Sequence, residues 1–281
     1  MPTFHFIVST LGRTSALNRL VESLRSQTET FFLTVVEQSD SPSCAKLIAP
    51  LVEQGLAEYI HEPEVRGLSR GRNRGLRELR GRIVAFPDDD CWYPAGLLAE
   101  VAARLRDARL DGISTLLVDG DGDEALLRWA TAEQDIRPRS IPRTVSSATL
   151  FFTRETIERV GDFDPELGSG SGTPFGAGEE TDYVLRALAL GARLRYLPGL
   201  EVHHAEWRSA GSTVDVRAKV RSYNRGFGRV LRKHGRHVEF LYWAGRSFAG
   251  LGVRAFSGDR AGAAHQLDQL RGRVSGYAAR R

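Results

Sequence analysis

The chain has 281 residues, of which 39 are Lys or Arg, 35 are Asp or Glu, and 41% are apolar. This apolar content is enough for a packed core and excludes a chain that is disordered throughout. The two cysteines, Cys44 and Cys91, are too few for a disulfide framework or a cysteine-rich zinc site, so we expect two small apolar side chains in a reducing compartment.

Short apolar runs alternate with amphipathic stretches along the first half of the chain. We predict strands near 4–9, 32–37, 58–61 and 82–86, and helices near 15–27, 44–54 and 68–79. In the first of these helices, apolar residues recur at the spacing of one helical face. This alternation predicts an α/β fold with a doubly wound, mainly parallel sheet and flanking helices. Ligands of such sheets bind beyond the carboxyl ends of the strands, so the loops at 10–14, 37–41 and 87–91 should line one crevice.

The second half of the chain is less regular. We predict strands at 112–118, 144–152 and 193–197, and helices at 97–108 and 181–190. Between them, residues 161–178 contain six glycines and two prolines, which predicts a long loop. Loops of this length usually bind something or move.

Charge is distributed unevenly between the two ends of the chain. Residues 1–210 carry 24 basic and 31 acidic side chains, a net charge of −7, whereas residues 211–281 carry 15 basic and four acidic ones, a net charge of +11. We predict a basic helical extension over 211–281, which could lie on an anionic membrane or pack against protein. Its helical stripe consists of Phe240, Trp243, Ala244, Phe248, Leu251 and Ala255.

Nothing in the sequence resembles a leader peptide or a membrane span. The first eleven residues lack a basic segment and a small-residue cleavage site, and no run of 18 apolar residues occurs. We therefore expect a protein of the cytoplasm, either free or peripheral on the inner face of the membrane.

Three adjacent carboxylates, Asp88, Asp89 and Asp90, directly follow the predicted strand at 82–86. Such acids repel one another unless a cation neutralises them, and oxygen ligands at alternate positions suit Mg²⁺ or Mn²⁺. The alternative is an exposed acidic turn. The sequence favours a divalent metal site that also bridges phosphate oxygens.

Two further polar clusters are candidates for chemistry. Glu179, Glu180 and Asp182 open a predicted helix after the glycine-rich loop, where one carboxylate could act as a general base or where all three complement the helix dipole. His203 and His204 are adjacent, and neighbouring strand residues point to opposite faces. One histidine could therefore reach a metal while the other packs.

Taken in order, these segments resemble the family 2 glycosyltransferases with the GT-A fold. The resemblance covers about residues 3–210 and rests on VSTLGRTSALNRLVESLRSQ, VVEQSD, RGLSRGRNRGL, FPDDDCWYP, VGDFDPELG, GAGEETDYVLRALALG and LPGLEVHH. It implies a catalytic domain at 1–210, with a nucleotide-binding half at 1–95 and an acceptor half at 96–210. Residues 211–281 would form the extension.

The resemblance also implies contacts with the nucleotide sugar. Thr10, Arg13 and Glu37 should surround the nucleotide base and ribose, although most relatives carry Asp where this chain has Glu37. Arg72 and Asn73 should reach the nucleotide and its diphosphate. These residues lie in the half at 1–95.

The metal site implied by the resemblance combines the acidic run with the histidine pair. Asp88 and Asp90 match the two ends of the DxD motif, with Asp90 as the direct ligand and Asp89 beside the donor. His203 matches a late metal or diphosphate ligand, and His204 could substitute for it. The expected cofactor is Mn²⁺ or Mg²⁺.

The acidic helix start would supply the catalytic base. Glu180 falls where relatives have a catalytic Asp, and Glu179 and Asp182 are rivals. One base and a single displacement invert the anomeric centre. The implied reaction moves a sugar from a nucleoside-diphosphate sugar to a hydroxyl of a glycan or lipid-linked acceptor, in cell-surface polysaccharide synthesis, and an oligomer is compatible with it.

Two other functions compete with this hypothesis. A metal-dependent nucleotidyltransferase would usually have a lysine-bearing, glycine-rich loop after the first strand, but the only lysines are Lys46, Lys219 and Lys233. A nucleic-acid-binding protein could use the arginine-rich extension with its aromatic residues. That function leaves the acidic first part of the chain unexplained, so we expect no nucleic acid partner.

Overall fold

The computed structural model describes residues 1–205 and 216–279, and within them nine strands and nine α-helices. The strands are β1 (Phe4–Thr10), β2 (Phe31–Glu37), β3 (Ala57–His61), β4 (Ile83–Ala85), β5 (Cys91–Trp92), β6 (Gly112–Val118), β7 (Gln134–Asp135), β8 (Leu150–Thr153) and β9 (Leu194–His204). The helices are α1 (Thr14–Arg25), α2 (Ala45–Glu53), α3 (Leu68–Leu76), α4 (Leu97–Asp107), α5 (Arg154–Val160), α6 (Glu179–Ala189), α7 (Val216–Lys233), α8 (His237–Phe256) and α9 (Arg260–Ala278).

The chain forms two compact units. Within the described residues, the sheet unit comprises residues 1–66, 70–163 and 183–205, and the helical unit comprises residues 67–69, 164–182 and 216–279. The functional division that we predict at residues 95 and 210 stays a prediction, and its boundary at 210 and 211 lies outside the described residues.

All nine strands belong to one sheet in the order β3-β2-β1-β4-β8-β6-β9-β5, with β7 paired to β9. The ladders β1/β2, β2/β3, β1/β4 and β6/β9 are parallel, whereas β8, β5 and β7 pair antiparallel with their neighbours. The predicted α/β fold is confirmed as a mixed sheet whose longest ladders are parallel. Since β1, β4 and β9 run in one direction, their carboxyl ends share one edge of the sheet.

Local patterns explain the first half of the sheet unit. β2 is buried along its whole length, as expected for a central strand covered on both faces. The apolar stripe of α1, formed by Leu17, Leu20, Val21 and Leu24, is buried as its spacing predicts. Burial of this stripe holds the loop between β1 and α1 at the edge of the sheet.

The second half departs from the sequence prediction at several points. The strand that we expect over 144–152 begins only at Leu150, because Ile141–Arg143 and Ser147–Thr149 form single 3₁₀ turns. The strand expected at 193–197 continues to His204. β5, β7 and α5 are too short to carry a recognisable periodicity.

The helical unit is built on close contact between α7 and α9. A Cβ atom on Gly276 of α9 would overlap the carbonyl oxygen of Arg225 on α7. On α8, Phe240 stacks on Tyr277 at a centroid distance of 3.8 Å, so this part of the predicted stripe packs against protein. No helix within 1–205 or 216–279 has the length and apolar character that a bilayer crossing requires.

We expect Gly276→Ala to lower the free energy of unfolding by about 1–3 kcal/mol, because the added methyl group forces α7 and α9 apart. Gly245→Ala on α8 is the matched control, since nothing lies within 4 Å of the added Cβ. That substitution should stabilise the helix by up to about 1 kcal/mol. Urea denaturation of both variants measures the difference, and equal effects would contradict the close contact.

Candidate active site

The side chain of Asp89, the middle carboxylate of the acidic run, points into the interior of the protein. Its side chain is 1% exposed and accepts hydrogen bonds from the Thr10 hydroxyl and from the Arg13 guanidinium. Burial raises the pKa of Asp89, although Thr10 and Arg13 act in the opposite direction. Asp89 therefore ties the loop after β1 to the loop after β4, and it is not free to contact a donor as the resemblance implies.

Arg13 lies on the acidic run instead of reaching toward a nucleotide base. Its Nη1 donates to Asp90 Oδ2 at 2.6 Å, and its Nε donates to Asp89 Oδ2 at 3.1 Å. The side chain is still 56% exposed. Arg13 acts here as a counter-ion at the mouth of the site.

A second arginine neutralises the run from inside the protein. Arg72 on α3 is fully buried, and its Nη2 donates to Asp88 Oδ1 at 3.2 Å and to Ser147 Oγ at 3.0 Å. Arg13 and Arg72 therefore offset part of the negative charge of the acidic run.

His204, the last residue of β9, completes the cluster. Its Nε2 lies 3.2 Å from Asp90 Oδ1, and its Nδ1 lies 2.6 Å from the carbonyl oxygen of Ala205. Burial by itself lowers the pKa of His204, but Asp90 raises it above the ordinary value. Likewise, burial raises the pKa of Asp90, but His204 and Arg13 hold it below the ordinary value.

The arrangement suits a divalent cation. A histidine whose Nδ1–H is held by a carbonyl presents Nε2 as a ligand when neutral. Asp90 Oδ1 is buried and receives no aligned hydrogen bond. Ligand atoms of Asp88, Cys91 and His204 lie within 4.8 Å of one another. The carboxylates and the imidazole fit Mn²⁺ or Mg²⁺, whereas the thiol of the buried Cys91 is a soft ligand that suits these hard ions poorly.

Glu37 does not line the crevice as the resemblance implies. Its carboxylate is fully buried; Ser39 and Ser43 donate to Oε1, and Tyr59 and the Cys44 amide donate to Oε2. Burial alone would raise the pKa of Glu37, but these hydrogen bonds lower it to about 2. Glu37 thus fixes the loop after β2, and no oxygen is left for a nucleotide.

Two other predicted contacts are used inside the protein. The Asn73 amide exchanges two hydrogen bonds with the backbone of Phe163, at 2.9 and 2.8 Å, and so holds that segment. His203 stacks against Trp92 at 5.3 Å. Of the two histidines, His204 is the one beside Asp90, since adjacent residues of β9 face opposite ways.

The acidic start of α6 belongs to the helical unit. Asp182 is fully buried, with His234 Nε2 and Lys233 Nζ each 2.8 Å from its Oδ1. Glu179 is 5% exposed, and Glu180 is more exposed than either. Asp182 is thus held in ion pairs, whereas Glu180 is the most exposed of the three carboxylates.

Sequence reasoning missed the partners that hold these groups. Ser147 supports Arg72, and Lys233 and His234 pair with Asp182. No motif links residues so far apart in the chain. The sequence offered a signal for Trp92, which contacts His203, because Trp92 follows the acidic run within the same motif.

Comparison with known proteins gives matches to glycosyltransferases. A family model described as Glycosyl transferase family 2 matches residues 5–160. The pre-mycofactocin glycosyltransferase of Mycobacterium tuberculosis is 29% identical over 209 residues, which cover 70% of this chain and 42% of that protein. The probable polypeptide N-acetylgalactosaminyltransferase 8 of Homo sapiens is 22% identical over 210 residues, 67% and 32% of the two chains. The chain spans less than half the length of these relatives.

Solved structures confirm the fold. The mannosyltransferase PcManGT from Pyrobaculum calidifontis, in complex with GDP-Man and Mn²⁺, has a TM-score of 0.69 at 16% identity, covering 98% of this chain and 87% of that one. S. aureus TarS 1–349, in complex with UDP-GlcNAc, has a TM-score of 0.64 at 18% identity, covering 85% and 66%. Both match the α/β sheet with flanking helices.

We expect Glu37→Gln to lower the free energy of unfolding at neutral pH by about 1–3 kcal/mol. The NH₂ group of the glutamine would face hydrogen-bond donors from which a carboxylate oxygen accepts. The folded pKa of about 2 lies below the ordinary 4.5, so the carboxylate's contribution is complete above pH 4.5 and is lost as the pH falls toward 2. Urea denaturation between pH 7 and pH 3 should show the difference from wild type shrinking. Exposed Glu53→Gln is the control, and a difference independent of pH would contradict this role.

Proposed function

Because the chain belongs to glycosyl transferase family 2, we propose that it moves a sugar from a nucleoside-diphosphate sugar to a hydroxyl group. The observation that carries this proposal is the approach of His204 Nε2 to within 3.2 Å of Asp90 Oδ1, beside a group of potential ligand atoms from Asp88, Cys91 and His204. The acidic run follows β4 and His204 ends β9, at the carboxyl edge of the sheet where ligands of α/β proteins bind. The structural neighbours in complex with UDP-GlcNAc and GDP-Man support a donor of this class. The acceptor in this proposal is a glycan or a lipid-linked acceptor of cell-surface polysaccharide synthesis.

In this proposal Asp88, Asp90 and His204 hold Mn²⁺ or Mg²⁺. The ion, when bound, offsets the negative charge that develops on the leaving diphosphate. Arg72 keeps Asp88 in place through a buried ion pair, and Arg13 adds positive charge at the exposed side of the carboxylates. Complexes of PcManGT and GalNAc-T7 with Mn²⁺ support the choice of metal.

The proposed general base is Glu180 at the start of α6. A carboxylate there would take the proton of the acceptor hydroxyl as the new glycosidic bond forms, and a single displacement inverts the anomeric carbon. Asp182, anchored to Lys233 and His234, positions the first turn of the helix.

The proposed place of action is the cytoplasmic face of a membrane. The net charge of +11 over residues 211–281 favours contact with anionic lipid. A lipid-linked acceptor would be presented at the same surface.

We expect Asp90→Ala to weaken metal-dependent nucleotide binding by at least about 10–100-fold, the loss typical of disturbing even an outer partner of a metal site. Calorimetry with UDP, GDP and dTDP in the presence of Mn²⁺ identifies the nucleotide and measures the loss. Asp121→Ala, in an exposed acidic turn, is the control. Unchanged affinity of the Asp90 variant would remove the metal assignment.

We expect Glu180→Gln to bind the nucleotide sugar as wild type does but to transfer the sugar about 10²–10⁴-fold more slowly, because only proton removal is lost. Glu179→Gln should be milder. Asp182→Asn should chiefly lower stability, because it removes the charge that pairs with His234 and one of the two carboxylates that pair with Lys233. Transfer rates and donor affinities of the three variants provide the test. A dead Glu179 variant beside an active Glu180 variant would move the base by one residue.

A further inference from the structure

α8 presents two different faces along its length. The face toward the other helices packs closely, with Phe240 against Tyr277 and Trp243 against Phe227. The opposite side carries large apolar residues that are each more than half exposed, and Phe256 is 97% exposed. We call this side the outer face of α8, and it is defined by Val238, Leu241, Tyr242, Phe248, Val253 and Phe256.

The outer face is continuous. At 100° per residue its six members fall within an arc of about 140°, and they extend over about 27 Å of helix. The remaining positions within that arc are Gly245, Ala249 and Gly252, so no charge interrupts it. Soluble proteins seldom expose apolar surface of several hundred Å² without a binding role.

The net charge of α7, α8 and α9 favours a lipid surface over a second copy. Residues 216–279 contain 13 basic and three acidic side chains, a net charge of +10. Two copies joined through this face would bring those charges together, which disfavours self-association. An anionic surface gains from the same charge.

The pattern fits a helix that lies in the plane of a bilayer. Such helices combine an apolar aromatic face with basic residues beside it. Arg246 lies 5.9 Å from the centre of the Tyr242 ring at the border of the outer face, and Arg236 immediately precedes the helix. Within the described residues no helix is suited to crossing the membrane.

We propose that the outer face of α8 inserts into the headgroup region of an anionic bilayer and holds the protein there. The inference deepens the peripheral location given under the proposed function and rests on it. It differs from the sequence prediction in the residues that touch lipid, because Phe240 and Trp243 pack within the helical unit.

The test compares two triple variants in sedimentation with vesicles of phosphatidylglycerol and phosphatidylcholine. Leu241→Ser, Phe248→Ser and Phe256→Ser together should reduce partitioning at least about tenfold, since three large apolar side chains no longer enter the lipid. The control combines Val52→Ser, Leu126→Ser and Leu190→Ser, which are also exposed but lie in the sheet unit. The control should partition as wild type does, and wild-type binding should weaken with salt.

A fluorescent probe reports insertion directly. Both native cysteines are buried, so Phe256→Cys can be labelled selectively with an environment-sensitive fluorophore. Its emission should shift to the blue on adding anionic vesicles, whereas Leu126→Cys should not respond.

Three results would overturn the proposal. These are wild-type protein that stays in the supernatant at low salt, an α8 variant that partitions as wild type does, and a concentration-dependent dimer that the α8 variant alone loses. Calorimetry with Mn²⁺ and the nucleoside diphosphate, applied to both triple variants, distinguishes failure of this proposal from failure of the proposed function. Lost lipid binding with intact nucleotide affinity supports the inference.

Discussion

The candidate site depends on one electrostatic constraint: three consecutive carboxylates must be kept together at the end of a buried strand. Arg13 and Arg72 meet this constraint from opposite sides, one half-exposed and one fully buried. Asp89 joins the loops after β1 and β4 through Thr10 and Arg13. In the proposed function, Asp88 and Asp90 are then the carboxylates that hold the cation.

Two residues that the resemblance places near the donor form hydrogen bonds within the protein. Glu37 gathers the loop after β2, and a Cβ on Gly12 would overlap Ser43 of that loop, so the loops after β1 and β2 lie against each other. Asn73 holds the backbone of Phe163 and thereby fixes α3, which carries Arg72. A rigid frame of this kind keeps charged groups in position before a ligand arrives.

The helical unit combines ion pairs around Asp182 with an exposed apolar face on α8. Lys233 and His234 on α7 use buried ion pairs to hold Asp182 beside the proposed base. Small residues such as Gly276 allow α7 and α9 to approach closely. The outer face of α8 is left for a partner outside the chain, and the positive charge of the unit selects an anionic one.

The sequence by itself determined the α/β alternation, the buried stripe of α1 and the acidic run after an apolar strand, because periodicity and chain order are local properties. It also supported the family resemblance, which the matched family model confirms. Only the tertiary structure decided that His204 and not His203 joins Asp90, that Glu37 and Asn73 turn inward, and which face of α8 is exposed. Each of these outcomes depends on partners contributed by distant segments, and neither spacing nor composition records where those segments meet.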